Sequence, residues 1–456
     1  MSTSNLTSSA NVLTDAGLWR MLLNHAQNDN RSEFKSQLSK LIMQLDDVMS
    51  EQLSAVMQAT DFKELEARWL GLHSLVLLPV SQRRVQVKLL DLSWDMVSAD
   101  LNQSFNVTRS ALYQKIYANE LDTAGGHPFG LLVVDHLIHS DLDDDADFDD
   151  LYTLQLLGEL GERALCPVSL GVDPYFFGDE PARLIPDHKR IQRILSSSDL
   201  QSWQLLRSHS ASRFLNLVLP EYHLRSPYQH YQAGFVFNER ALTEHVLWGN
   251  PAYLLAANVI REFDRISWFG FLRAYDESGR YGAIVQVGNG QQDPLLSRID
   301  LFSEDDDFWS AQGFVPLSSV YLSGQKGIFS NQSVWKATTE TEKMSGMLQT
   351  NLMACRFGHY IKAQIRDQIG SFDSPSTCQR SLEKWLNQYI SGVDFGDESI
   401  MARYPLKRAD VNFTQDLLDP TKYSCQINLQ PQYQYEMLDT HIVLLTDVPA
   451  TKLGDQ

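Results

Sequence analysis

The sequence predicts a mixed α/β protein: a central sheet flanked by helices, a helical N-terminal segment, and β-strands toward the C-terminal end. Three observations carry that prediction. Residues 129–134 form an apolar run behind the turn residues Gly125, Gly126 and Pro128, the pattern of a strand buried on both faces. A helical stretch to about Ala164, a short apolar strand around Val168 and a third at residues 214–220 follow, which is strand–helix–strand alternation. The two ends differ: apolar residues recur at helical spacing over residues 33–57 and at period two over residues 423–429.

Taken in order, residues 1–32 read as a flexible segment, polar at its start. Residues 33–57 then carry Phe34, Leu38, Leu41, Ile42, Leu45, Val48, Met49, Leu53, Val56 and Met57 on a helical pattern. Asp61 and Glu64 have the spacing of a capping box. The helix they open bears Leu65, Trp69, Leu72 and Leu75 and stops at Pro79. Arg84 to Leu90 (RVQVKLL) alternates Val85, Val87 and Leu89 with Gln86 and Lys88, which predicts a half-buried strand. Ser93 is placed to cap a short helix with Trp94 and Val97, and a further helix holds Leu112, Ile116 and Leu121.

Beyond the strand at 129–134 lies DLDDDADFDD at residues 141–150, with seven aspartates. Helices over residues 187–195 and around Trp203 precede the strand at 214–220. Pro227 and Gly234 mark a loop; Asn250 as N-cap and Pro251 at the first turn open a helix through Phe263. Residues 268–333 are glycine-rich and read as irregular β structure. Residues 353–372 place Met353, Phe357, Tyr360, Ile361, Ile365 and Ile369 on one helical face, with Arg356, Lys362, Arg366, Asp367 and Gln368 mostly on the other and Gly370 at the C-cap. That helix is expected to be half core and half exposed basic surface. A helix with Trp385, Leu386 and Ile390 follows. Then Tyr423, Cys425, Ile427 and Leu429 alternate, as do His441, Val443 and Leu445. Trp69, Trp248, Trp268 and Trp385 are expected in cores.

The 456 residues carry 38 basic and 57 acidic side chains, a formal net charge of -19. So acidic a chain disfavours non-specific nucleic-acid or anionic-membrane binding. Cys166, Cys355, Cys378 and Cys425 form no CxxC pair and read as reduced, buried thiols. The N-terminus lacks the basic and apolar regions of a signal peptide, and no apolar run approaches the ~20 residues of a membrane span. The expected location is cytoplasmic.

No GxxxxGK[ST], HExxH or GxSxG occurs, and Gly288-Asn289-Gly290 lacks a third glycine. Asp141, Asp143 and Asp145 match the first ligands of a calcium loop, but Ala146 and Tyr152 stand where a glycine and a bidentate glutamate are required. An acidic loop at the positive end of a helix is the simpler reading. His127, His136 and His139 lie near the aspartates and are read as strand-end surface residues, with a metal site the alternative. His359 is read as a satisfied helix histidine. No cofactor, metal or catalytic residue is expected.

Several motifs resemble the large sheath subunit of bacterial type VI secretion systems, the TssC/VipB family. They are ARWLGLHSLV (67–76), GGHPFGLLVVD (125–135), LWGNPAY (247–253), GFVPL (313–317), RFGHYIKAQIRDQIGSF (356–372), WLNQYI (385–390) and YPL (404–406), in the family's order and spacing. The segment after GFVPL and Thr421-Lys422 depart from the family pattern. The resemblance implies a contractile-tail-sheath-like fold and a structural, non-enzymatic role. It implies pairing with a small subunit (TssB/VipA-like), a helical lattice of further copies, an enclosed Hcp tube, baseplate proteins, and disassembly by the ClpV AAA+ unfoldase acting mainly on the small subunit. It further implies that Arg356, Lys362 and Arg366 touch the tube, and that the C-terminal strands (Tyr423, Cys425, Ile427, Leu429; His441, Val443, Leu445) join strands of neighbouring protomers. The resulting divisions are residues 1–32, a small-subunit-pairing region at 33–122, a sheath core at 123–350, and inner-layer helices with inter-protomer strands at 351–456. A divergent sheath paralogue, a baseplate or cap adaptor, and a metal-dependent hydrolase or acyl-transfer enzyme at the Asp/His-rich edge remain alternatives.

Overall fold

Four parallel strands, in the spatial order Leu132–Ile138, Val168–Val172, Leu215–Leu219 and Val315–Pro316, form the main sheet of the computed structural model. The model describes residues 31–140, 148–232, 234–240, 246–275, 281–285, 295–321, 323–367, 375–390, 403–415, 422–431 and 442–449. The chain divides into two compact units: Met1–Leu70 with His223–Trp248, and Gly71–Tyr222 with Gly249–Gln456.

The elements in chain order begin with helices α1 (Arg31–Met57), α2 (Thr60–Val76) and α3 (Trp94–Gln103). Strand β1 (Leu132–Ile138), helix α4 (Asp150–Ala164) and strand β2 (Val168–Val172) make the first crossover. Helices α5 (His188–Leu195) and α6 (Gln201–Ser208) lead to β3 (Leu215–Leu219). Short strands β4 (Tyr222–Arg225), β5 (Gln229–Gln232), β6 (Phe235–Asn238) and β7 (Leu247–Gly249) precede helix α7 (Ala252–Ile266). Then come β8 (Leu301–Phe302), α8 (Asp306–Gln312), β9 (Val315–Pro316), β10 (Ser318–Ser319) and β11 (Lys326–Gly327). Helices α9 (Leu348–Asp367) and α10 (Pro375–Leu386) and the antiparallel strands β12 (Leu406–Gln415), β13 (Lys422–Pro431) and β14 (Ile442–Pro449) finish the chain.

Period-two alternation puts the sheet's two faces into different layers. Leu132, Val134 and Ile138 of β1 join the main core with Leu154 and Leu157 of α4, Trp203 of α6 and Leu170 of β2. On the other face, Leu131 and Val133 pack with Leu75, Leu78 and the α7 residues Tyr253, Ala256 and Ala257. Small residues let α7 come close. A Cβ on Gly171 of β2 would lie 2.5 Å from Leu137 Cδ2 and 2.6 Å from Asn250 Oδ1.

Asn250 is the residue around which this corner is built. Its Oδ1 accepts from the Ala252 N–H at 3.0 Å, capping α7, while its Nδ2 donates to Asp135 Oδ1 at 3.1 Å and to the His136 carbonyl at 3.3 Å. One side chain therefore fixes the start of a helix to a strand more than a hundred residues away. This is the physical content of the LWGNPAY motif.

Several expectations hold. Ser93 caps α3 by accepting from the Met96 N–H. The expected helix with Leu112, Ile116 and Leu121 is found only in part: a short α-turn (Ala111–Tyr113) runs into a π-turn (Gln114–Ala118) with Leu121 beyond it, and all three leucine and isoleucine side chains are buried. Asp149 caps α4, as an acidic residue at a positive helix end should. All four cysteines are free and buried. Where residues 268–333 are described, they hold the short strands β8 to β11, helix α8 and a 3-10 turn at Ser303–Asp305.

Others are corrected. Residues 129–134 do not form a strand buried on both faces. The strand runs from Leu132 and lies at the end of the sheet, paired with β2 alone among the described residues, and most of it is half-buried. An apolar run reports contact on both faces and says nothing of which neighbour closes the ladder. Among the described residues Arg84 to Leu90 joins no ladder, and it is largely exposed. Trp69 is 57% exposed rather than in a core. The C-terminal sheet has three strands: β12, carrying Val411 and Phe413, precedes the two expected ones. The helix of residues 353–372 begins at Leu348 and is buried nearly all round from Asn351 to His359, so the expected split into core and exposed basic face is absent there.

Candidate assembly surfaces

Helix α1 has two unlike faces. Ser50 and Ser54, one turn apart and buried, meet the β5–β6 hairpin. The Ser50 hydroxyl donates to the Val236 carbonyl at 3.4 Å, and Ser54 Oγ accepts from the Arg240 N–H at 2.9 Å. On a separate arc, centred about 110° away, Leu38, Ile42, Met49, Leu53 and Val56 are all exposed. At 100° per residue they fall within about 60° of one another and span roughly 27 Å of helix. Phe62, Leu65 and Trp69 repeat the arrangement on α2, again exposed on one arc. Two adjacent helices with continuous apolar stripes in solvent are the pattern of an unfilled interface.

The hairpin side of this unit is held by charge. Arg225 of β4 donates to Glu66 of α2 and to Glu239, and lies 4.0 Å from the centroid of the Tyr228 ring. Gln58 donates to Glu239 at 2.7 Å. Burial works against the Glu239 carboxylate, yet the Arg225 guanidinium and the Tyr228 N–H hold its pKa below the usual range.

The C-terminal sheet is covered on one face. Cys425, Ile427 and Leu429 of the central strand β13 are fully buried, as are Cys378, Leu382 and Leu386 of α10 at four-residue spacing. A period-two row thus meets a helical row. Gln379 donates to the Val411 carbonyl at 2.9 Å, tying α10 to β12. The outer residues Arg408, Asn412 and Thr414 are exposed. β12 and β14 are the edges. Register pairs Asn428 with Val443 and Gln426 with Leu445, whereas Ile427 pairs with Leu444. The two alternating sets read from the sequence therefore do not stand opposite each other. His441 lies outside the described residues, and of Tyr423, Val443 and Leu445 only the backbone is described.

The basic residues of α9 are engaged within the chain. Arg356 lies 4.5 Å from the Phe263 ring centroid and donates to the Tyr360 hydroxyl at 3.1 Å, and burial lowers its pKa. Lys362 Nζ donates to the Tyr117 hydroxyl at 3.2 Å. Only the backbone of Arg366 is described, and Gly370 lies outside the described residues. Periodicity missed these partners because Phe263 and Tyr117 come from distant segments. His359 is buried, its pKa pushed down to about 4 by desolvation, with Nε2 3.5 Å from the Ala164 carbonyl.

The Asp/His edge is a packed corner. The His136 ring stacks on Trp94 at 4.2 Å and its Nε2 lies 2.9 Å from Asp150 Oδ2, while Trp94 Nε1 donates to Asp150 Oδ1 at 2.6 Å. Burial raises the Asp150 pKa, and His136, the His139 N–H and Trp94 together bring it below the usual range. Residues 141–147 and 288–290 lie outside the described residues. Among those described, no three His, Cys, Asp or Glu side chains gather as a metal site. Burial pushes the Cys166 thiol up to about 12 and Cys378 to about 11, which keeps both protonated and unreactive. A polar cavity of about 140 Å³, lined by residues including Arg273, Asp307, Ser310, Ser330, Asn331 and Lys343, has Ser310 and Ser330 bonded to each other.

Two family models tile the chain. The EvpB/VC_A0108 tail sheath N-terminal domain matches residues 39–335, and the tail sheath gpW/gp25-like domain of the same family matches residues 337–448. The chain belongs to the VipB/EvpB tail sheath family. The type VI secretion system sheath protein TssC1 of Pseudomonas aeruginosa is 25% identical over 439 residues, 91% of this chain and 86% of that protein. A sheath tail protein from Desulfitobacterium hafniense matches in structure at a TM-score of 0.33 and 8% identity, over 69% of this chain; the chain spans just over half, 56%, of that structure. Membership of the VipB family makes this a large sheath subunit of the type VI kind, and brings with it a small sheath subunit and further copies of the same chain as partners. No described helix is long and apolar enough to cross a membrane.

Proposed function

We propose that this VipB-family chain is a mechanical part of a contractile sheath in the bacterial cytoplasm. It forms a heterodimer with the small subunit; the heterodimers polymerise around an Hcp tube and contract to propel it. It has no active site, and the energy of contraction lies in the difference between extended and contracted lattice contacts. The observation that carries this reading is the exposed apolar stripe of α1, continued on α2. Docked against helices of the small subunit, each such side chain contributes about 1.5–3 kcal/mol when fully buried. β12 and β14, the edges of this sheet among the described residues, suit strand addition between neighbouring protomers. Lys362, held on the Tyr117 hydroxyl, offers a fixed rather than mobile charge to the tube, and Arg356 and Arg366 of the same helix are the other two candidate tube contacts. Ion pairs made at the protein surface contribute about 0–1 kcal/mol each, weak enough singly to release on contraction. Baseplate proteins anchor the polymer, and ClpV dismantles it through the small subunit.

Substituting Ile42→Asp with Trp69→Asp tests the helical interface. Both side chains are exposed, so the chain folds, and co-purification with the small subunit is expected to fall more than tenfold. Undiminished co-purification overturns the assignment of that surface.

A further inference from the structure

The strand-like segment Arg84 to Leu90 is stretched between fixed points and left without a ladder. At its start, the Ser81 N–H donates to Asp264 Oδ1 at 3.0 Å and Arg84 Nη1 to the Asp264 carbonyl at 2.8 Å, both at the end of α7. Midway, Lys88 pairs with Glu120 at 2.6 Å and sits 5.0 Å from the Phe129 ring centroid. Beyond it, Leu92 and Trp94 pack into the main core. Because Leu78 and Val80 pack on the α7 face of the sheet and Trp94 on the α4 face, the segment crosses from one face to the other, its Lys88 against Phe129 just ahead of the terminal strand β1.

Its composition does not suit a surface loop. Residues 80–92 contain no glycine or proline, and Val85, Val87 and Leu89 alternate. Yet Val87, Leu89 and Leu90 are 43%, 66% and 45% exposed. Among the described residues, no backbone hydrogen bond involves residues 86–90. Apolar alternation is the mark of a strand that buries one face, and the described residues supply neither the face nor the ladder. Unpaired extended backbone held at both ends is a template for an added strand.

Charge selects the occupant. Residues 80–90 include Arg83, Arg84 and Lys88 and no acid, in a chain whose net charge is -19. A second copy laid alongside would set basic residues against basic ones, which is unfavourable across a strand pair. An extended segment with apolar alternation and flanking Asp or Glu is complementary. We propose that residues 85–90 are a docking strand on which the small sheath subunit lays an extended, acid-flanked segment, closing the β1 side of the sheet. This rests on the sheath reading for the identity of the partner.

Hydrogen exchange read on the amides of residues 86–90 tests it, in the chain alone and in the heterodimer co-expressed with its small subunit. The amides are expected to exchange at nearly the open-chain rate in the free chain and at least tenfold more slowly in the heterodimer. Val87→Pro, which removes one ladder donor at an exposed position, should lower co-purification at least tenfold with the melting temperature of the free chain unchanged. A heterodimer that forms while these amides stay fast overturns the docking strand and leaves the sheath reading intact. Protection that instead grows with the concentration of the free chain assigns the segment to self-pairing and also overturns it. Failure of the unaltered chain to bind the small subunit at all overturns the sheath reading, and this proposal with it.

Discussion

Arg225 and Glu66 meet through two hydrogen bonds, Nε to Oε1 at 2.5 Å and Nη2 to Oε2 at 2.9 Å, and the same guanidinium bonds Glu239 at 2.6 Å. One cation thus holds two carboxylates, all three side chains at most 13% exposed. The pairing draws α2, β4 and the end of the β5–β6 hairpin together.

Removing the cation leaves two buried anions facing each other. Arg225→Ala is expected to destabilise this unit by about 3–5 kcal/mol, and Arg225→Lys to recover little, since lysine cannot bond both carboxylates in a fork. Protease resistance of the α1–α2 region reports the loss directly. Because Glu239 titrates below its unfolded value, its contribution is present above the unfolded carboxylate range and disappears as pH falls through the lower, folded value. The wild-type should therefore lose this unit on the acid side, and the alanine variant should show a flatter acid limb.

Asp306 behaves oppositely. Burial pushes its carboxyl up to about 7; a hydrogen bond from Ser318 opposes this, and Asp305 and Asp307 add to it. The folded state then binds more protons than the unfolded one between about pH 4 and 7, so stability falls as pH rises through that window. Asp306→Asn should raise stability at pH 8 by about 4 kcal/mol and leave it nearly unchanged at pH 4. Denaturant midpoints at the two pH values check this.

What could be read from the sequence follows from how local each signal is. The cap at Ser93, the helix expected over residues 33–57 and found over Arg31–Met57, and the buried row Cys425, Ile427 and Leu429 are set by neighbours within a few positions and appear as expected. The partners of Arg356 and Lys362 are a phenylalanine and a tyrosine roughly 90 and 245 positions away, and no period reports these. The exposure of Trp69 and Val87 was equally hidden. An apolar pattern records that a side chain is buried somewhere, and in a subunit built for assembly the burying surface can belong to another chain.

The third β-strand sharpens one expectation about assembly. Deleting Thr421 to Leu445 removes β13 and half of β14 and bares Cys378, Leu382 and Leu386 of α10. The α1–α2 stripes are untouched. Heterodimers should still form, while sheaths longer than a few rings should not. Size-exclusion chromatography separates the two outcomes, and long polymers from the truncated chain would count against lattice linkage by these strands.

The central claim is that this chain builds a sheath with a small subunit. Negative-stain electron microscopy of the chain alone and co-expressed with its small subunit tests that most directly. The account predicts hollow, cogwheel-ended tubes in the co-expression and none from the chain alone. Discrete particles of one size in both samples would contradict it.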